Sequence, residues 1–117
     1  MAYVDGFVIP VAPENRAAFV EHAEKVDAFF LAEGALRIVE CWSDDVPRGQ
    51  HTDFFRAVAA QEEEAVAFSW IEWPDKATRD AAFAKLMENQ ALMAIPMPFD
   101  GKRMIFGGFV PVVTLEA

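Results

Sequence analysis

The chain has one cysteine, Cys41, so no internal disulfide can form and a reducing compartment suits it. It has two histidines, His22 and His51, which lack the spacing of zinc ligands, so no metal is expected. Cations are scarce: ten Lys and Arg stand against nineteen Asp and Glu, for a net charge of −9. That excess repels phosphate backbones and anionic lipid, which excludes nucleic-acid and membrane-surface roles. The one adjacent basic pair noted, Lys102-Arg103, is too small to reverse it. No apolar run reaches the length that spans a bilayer. The opening residues, Met1 to Asp5, lack the basic and apolar regions of a signal peptide. There is no phosphate loop or dinucleotide fingerprint, because Gly107-Gly108 has no helix after it. A soluble, cytoplasmic protein without a cofactor is expected.

Apolar residues are plentiful. They make up 54% of the 117 residues and include eleven Phe and three Trp, a composition that folds rather than stays disordered. The length suits one domain over residues 1–117. One pattern occurs twice. A strand-like run over residues 2–11 leads into a helix over 14–33, where Phe19, Ala23, Val26 and Phe30 recur at helical spacing and Gly34 supplies a stop. A second strand follows over 36–42. Residues 43–63 are irregular, with Thr52 or Asp53 able to cap a short helix. A third strand over 65–73 leads into a helix over 76–91 capped by Asp75, and a fourth strand is expected over 102–110. The order β-α-β-β-α-β is the split-βαβ, ferredoxin-like α+β arrangement, with both helices on one face of an antiparallel sheet.

The strands carry apolar residues on both sides, whereas a sheet with one wet face alternates apolar with polar. A homodimer that covers the second face answers the mismatch. Strand periodicity sets Tyr3, Asp5, Phe7 and Ile9, with Ile38, Glu40, Trp42, Phe68, Trp70 and Glu72, on the expected dimer side. The smaller set, Val4, Gly6, Val8, Val39, Cys41, Ala67, Ser69 and Ile71, is expected under the helices.

Three stretches are familiar as sequence: Tyr3-Val4-Asp5-Gly6-Phe7-Val8, Phe68-Ser69-Trp70-Ile71, and the segment from Met97 through Asp100-Gly101-Lys102-Arg103 to Phe109. They resemble the YbaA-like family of small bacterial proteins of unknown function. The resemblance covers nearly the whole chain, and the last segment is its most specific part. It implies the dimeric α+β barrel superfamily, in which two ferredoxin-like subunits pack sheet to sheet. It supplies no catalytic residues.

The residues themselves suggest an aromatic-lined cleft for a small aromatic or hydrophobic molecule, with Phe7, Trp42, Phe68 and Trp70 as ligand-binding candidates. Asp5, Glu40, His51 and Arg103 are the polar groups available to a cofactor-free oxygenase or isomerase. His51, two residues before Asp53, has the spacing of a base held by a carboxylate, although a solvent-exposed loop histidine is the plainer reading. Arg103 is expected to pair with Asp5 or Glu40, or to bind an anion. His22 reads as a surface residue between Glu21 and Glu24, and Cys41 and Ser69 as packing residues. A structural dimer without a small-molecule site is the remaining alternative.

Overall fold

The computed structural model describes residues 2–117. Its elements run β1 (Tyr3–Val11), α1 (Arg16–Ala32, entered by a 3-10 turn over Pro13–Asn15), β2 (Arg37–Trp42), α2 (Phe54–Ala57), β3 (Ala65–Trp73), α3 (Lys76–Leu86), α4 (Gln90–Met93) and β4 (Ile105–Phe109). The sheet is antiparallel with the order β2-β3-β1-β4. This is the ferredoxin-like α+β arrangement, with α1 and α3 on one face.

Local chemistry fixes the element ends. Pro13 sets the first turn and cannot donate to the strand before it. Gly34 ends α1 with a φ of +112°, a conformation that costs a residue with a Cβ. Asp75 caps α3 by accepting a hydrogen bond from the Thr78 backbone N–H at 2.7 Å, and Asp53 caps α2 from Arg56 at the same distance. The second long helix is shorter than its sequence pattern: it stops at Leu86, and a separate turn of helix starts behind the Asn89 cap. The fourth strand covers only Ile105–Phe109, and beyond it Val112 and Leu115 are about nine-tenths exposed.

Face assignment differs from expectation on two of the strands. Cross-strand register places partners on one face. The pairs Tyr3↔Trp73, Asp5↔Ile71, Phe7↔Ser69 and Ile9↔Ala67 all point toward the helices, as do Ile38, Glu40 and Trp42 of β2. Val4, Gly6, Val8, Val39 and Cys41 lie on the outer face with Phe68, Trp70 and Glu72. Only β3 has the side expected for it. The physical reason is complementarity of size across the register. Small residues of β3 (Ala67, Ser69) sit beside large ones of β1 (Ile9, Phe7), so bulk on β1 fits under the helices. The two core clusters follow: Tyr3, Ala35, Ile71, Trp73 and Ala82 at one end, and Ile9, Val11, Phe19 and Ala67 at the other.

At Gly107-Gly108 the ladder with β1 is unbroken, so there is no bulge. The close approach there is from a side chain. A Cβ on Gly108 would lie 2.2 Å from the Tyr3 hydroxyl oxygen and 2.8 Å from two atoms of its ring.

Candidate functional site

Between α1 and the sheet lies a cavity of about 250 Å³. Its floor is Phe7 and Ile9 of β1 with Ser69 and Ile71 of β3. One wall is the inner stripe of α1: Phe19, Ala23, Val26 and Phe30. The segment after α3 forms the roof, through Leu92, Met93, Ile95, Met97, Phe99 and Met104. That segment is held down by contacts to α1. The Asn15 side-chain amide donates to the Pro98 carbonyl at 3.3 Å, and the Phe99 ring meets Phe19 and His22 with centroids 6.1 and 5.5 Å apart. Three methionines in one roof give a wall of unbranched, polarizable side chains that adjust to what they cover.

The cavity has one polar end, made of His22 and Asp27 from α1, Glu40 from β2 and Ser69 from β3. Glu40 and Ser69 are direct cross-strand partners. Glu40 is on an edge strand and is the most open of the four, so this end is a mouth. Asp27 shares a hydrogen bond with Glu40. Its carboxyl is pushed up to about 9, first by burial and then by that bond and the neighbouring charge. Burial thus favours the protonated form of Asp27, the less open of the two carboxyl groups, and sets its O–H toward Glu40 at neutral pH. Burial pulls the His22 imidazole below its ordinary value, and the charge of Glu40 opposes that only in part. Ser69 is 3% exposed. Its hydroxyl makes no hydrogen bond among the described residues, yet no fully buried polar atom there lacks a partner, so it opens onto the cavity.

The sequence candidates are dispersed. Phe7 lines this cavity, and Trp42 packs beside it against Phe19 with ring centroids 5.9 Å apart. Phe68 and Trp70 line a depression on the other side of the sheet that Phe7 also edges, so three of the four aromatics meet there and Trp42 does not. Of the polar candidates only Glu40 reaches the cavity. Asp5 is 2% exposed and fully engaged: the Trp73 indole N–H donates to it at 2.9 Å, and the Arg79 guanidinium at 2.8–3.2 Å through Nε and Nη2. Its partner is Arg79 of α3, not Arg103. Arg103 instead donates to Glu64 at 2.8 Å, to Asp100 at 3.0 Å and to the Ala59 carbonyl at 3.0 Å, tying the turn before β4 to the turn before β3. This bond is the main reason the Glu64 carboxyl is held below its ordinary value. His51 is exposed in its loop, and Asp53 is spent on the backbone N–H groups of Gly49 and Arg56.

His22 was expected at the surface and Asp27 was not singled out, yet both line the cavity. A signal for Asp27 exists in the sequence. It stands four residues after Ala23 and three before Phe30, so it falls on the apolar stripe of α1.

The outer face of the sheet carries a second apolar depression, of about 520 Å³, lined by Val4, Val8, Phe68, Trp70, Ile105 and Phe109 around Gly6 and Gly107. Gly6 and Gly107 are cross-strand partners, and the absence of two Cβ atoms makes the floor. No helix among the described residues is long and apolar enough to cross a membrane.

The model of a family described as protein of unknown function (DUF1428) matches residues 2–101. The chain is 52% identical over 115 residues to the uncharacterized protein YbaA of Escherichia coli (strain K12), covering 97% of this chain and 98% of that one. The YbaA of Shigella flexneri matches to the same extent. Among solved structures, a dimeric ferredoxin-like protein from an uncultured marine organism superposes with a TM-score of 0.58 at 13% identity, covering 99% of this chain and 98% of that one. A mutant of SnoaB, a cofactor-independent oxygenase from Streptomyces nogalater, superposes with a TM-score of 0.50 at 22% identity, covering 99% and 96%. At these identities the likeness is one of fold, and no activity carries over with it.

Proposed function

The chain belongs to the DUF1428 family of proteins of unknown function, and from that premise we propose that it binds a small, mostly apolar molecule in the cavity between α1 and the sheet. The observation that supports this is the make-up of the cavity: aromatic, aliphatic and thioether walls with a single polar end at Asp27, Glu40, His22 and Ser69. An apolar pocket with few convergent polar groups is the ordinary design of a small-molecule site. The apolar body of the ligand occupies the space under the methionines, and its polar atom faces the mouth.

2-Naphthol, whose fluorescence responds to its surroundings, is a suitable probe. It is expected to bind with micromolar affinity, and Val26→Phe, which fills the cavity from α1, is expected to weaken binding at least about tenfold, the effect of about 1.4 kcal/mol. Trp70→Glu, on the outer face, should leave it unchanged. The reverse pattern, with Val26→Phe silent and Trp70→Glu damaging, would move the site to the outer depression and end this reading.

A second reading concerns that outer face. We propose that a second copy of the chain covers it. Phe68 and Ile105 are 44% exposed and Phe109 is 62% exposed on one side of one sheet. A contiguous apolar patch of this kind on a chain of net charge −9 marks an interface. Light scattering at micromolar concentration should give twice the 13.0 kDa chain mass. Trp70→Glu, which sets a charge amid that face, should give the single mass. A monomeric wild-type chain would refute this second reading and leave the inner cavity untouched.

A further inference from the structure

We infer, resting on the inner-cavity reading above, that the mouth is built to move a proton on a small apolar ketone. Glu40 removes the proton from the carbon beside the carbonyl, while Asp27 and Ser69 donate hydrogen bonds to the carbonyl oxygen. Three features of the geometry converge. Glu40 and Ser69 are neighbours across the β2–β3 ladder, and Asp27 reaches Glu40 from α1. Ser69 is almost wholly buried, and its hydroxyl opens onto the cavity with no partner among the described residues. All three groups stand at one end of a space that is otherwise apolar, so a ligand seated in it directs its one polar atom at them.

Two carboxyl groups in unlike surroundings, one half-buried and one at the open mouth, make a natural acid and base. Asp27 keeps its proton at neutral pH because burial and the adjoining carboxylate disfavour its charge. Without ligand, that proton is donated to Glu40. A carbonyl oxygen arriving at the mouth competes for it, which frees Glu40 to act as a base. The C–H bond then breaks, and its proton goes to a Glu40 oxygen. The C–H electron pair becomes the new C=C bond, and the carbonyl π pair moves to oxygen, which takes the Asp27 proton. The product is the enol, at the same oxidation level as the ketone. Return of a proton to carbon completes either exchange with solvent or migration of a double bond. His22, the other titratable group lining this end, is kept predominantly neutral by burial and does not compete as a cation.

The test uses 2-tetralone, a two-ring ketone with acidic protons beside its carbonyl. Its displacement of 2-naphthol measures binding, and deuterium uptake at carbon 1 in D2O, followed by proton NMR, measures the chemistry. The expected result is displacement together with exchange well above buffer. Glu40→Gln should cut exchange at least about 100-fold, the usual scale for loss of a general base, while displacement persists. The wild-type rate should also decline as pH rises through about 9, where Asp27 loses its proton. A residue of structural importance alone would produce neither the binding–rate separation nor that profile. Displacement by 2-tetralone with exchange at the buffer rate would overturn the proposal and leave the binding reading in place. Failure to displace bound 2-naphthol would overturn the ketone assignment. Failure of 2-naphthol itself to bind would remove the pocket reading and the proposal with it.

Discussion

Arg79→Leu is expected to destabilise the protein by about 3–5 kcal/mol, the cost of leaving a buried carboxylate without its cation. Asp5 sits near the start of β1 among Tyr3, Ile71 and Trp73, where its charge is held, among the described residues, by the Trp73 indole N–H and the Arg79 guanidinium. Arg79 in turn stands over the Tyr3 and Phe83 rings, at 5.2 and 4.4 Å from their centroids, so it also cements α3 to the sheet. Leucine keeps the packing volume and removes only the charge and donors. Urea denaturation should show the loss, and adding Asp5→Asn to Arg79→Leu should recover part of it, because a neutral amide still accepts from Trp73. A loss below about 1 kcal/mol for Arg79→Leu would show that Asp5 reaches water and that the pair is an ordinary surface contact.

The second large effect depends on pH. Asp27→Leu should raise the melting temperature, and the gain should grow between pH 7 and pH 8.5. The folded carboxyl titrates at about 9, far above the value of an unfolded aspartate. Between the two values the folded chain holds a proton that the unfolded chain has lost, so stability falls as pH rises across that interval. Leucine removes this slope. The groups that face Asp27 do not imitate it. His22 is pulled below its ordinary value, so its contribution lies in the acid range and runs the other way, with stability rising as pH rises. Glu40 loses only its neighbour. Over that interval one proton gives about 2 kcal/mol, so the gain should increase by about 6–12 °C in a domain of this size. A pH-independent difference between the variant and wild type would mean that Asp27 is ionised in the folded state, and would remove the acid from the proposed dyad.

The repeated strand–helix–strand pattern was enough to read the fold. The boundaries of β3 and the Asp75 cap follow directly from alternation and capping chemistry. Side assignment on β1 and β2 was not legible, because β1 is apolar on both faces and a one-residue change of register exchanges them. The size rule that puts small residues beneath helices misleads here. Ala67 and Ser69 of β3 already make room for Phe7 and Ile9, and the information lies in the pairing between strands rather than in any one of them. The same missing knowledge explains the arginines. A buried carboxylate on β1 demands a cation, but the choice between Arg79 of α3 and Arg103 of the turn before β4 rests on what packs over that strand. The polar end of the cavity was half visible. Glu40 was singled out, whereas Asp27 and His22 were hidden by acidic neighbours that give α1 the look of a solvated helix.

The strand order has a bearing on how the molecule comes into being. β1 leaves the ribosome before the other strands of its sheet, yet it lies inside the sheet, between β3 and β4. Both of its edges stay bare until residues 65–73 and then 105–109 have been made. For most of synthesis the chain therefore carries an open, two-sided apolar strand, the kind of edge that recruits other nascent chains. Partners so far apart in sequence also make closure of the sheet slow relative to helix formation. The helix α1, formed early and laid over Ile9, shields one face of that strand, but nothing local shields its edges. Birth is thus the most exposed moment in the life of this protein, because the second edge of β1, over Val4 to Val8, waits for Ile105–Phe109.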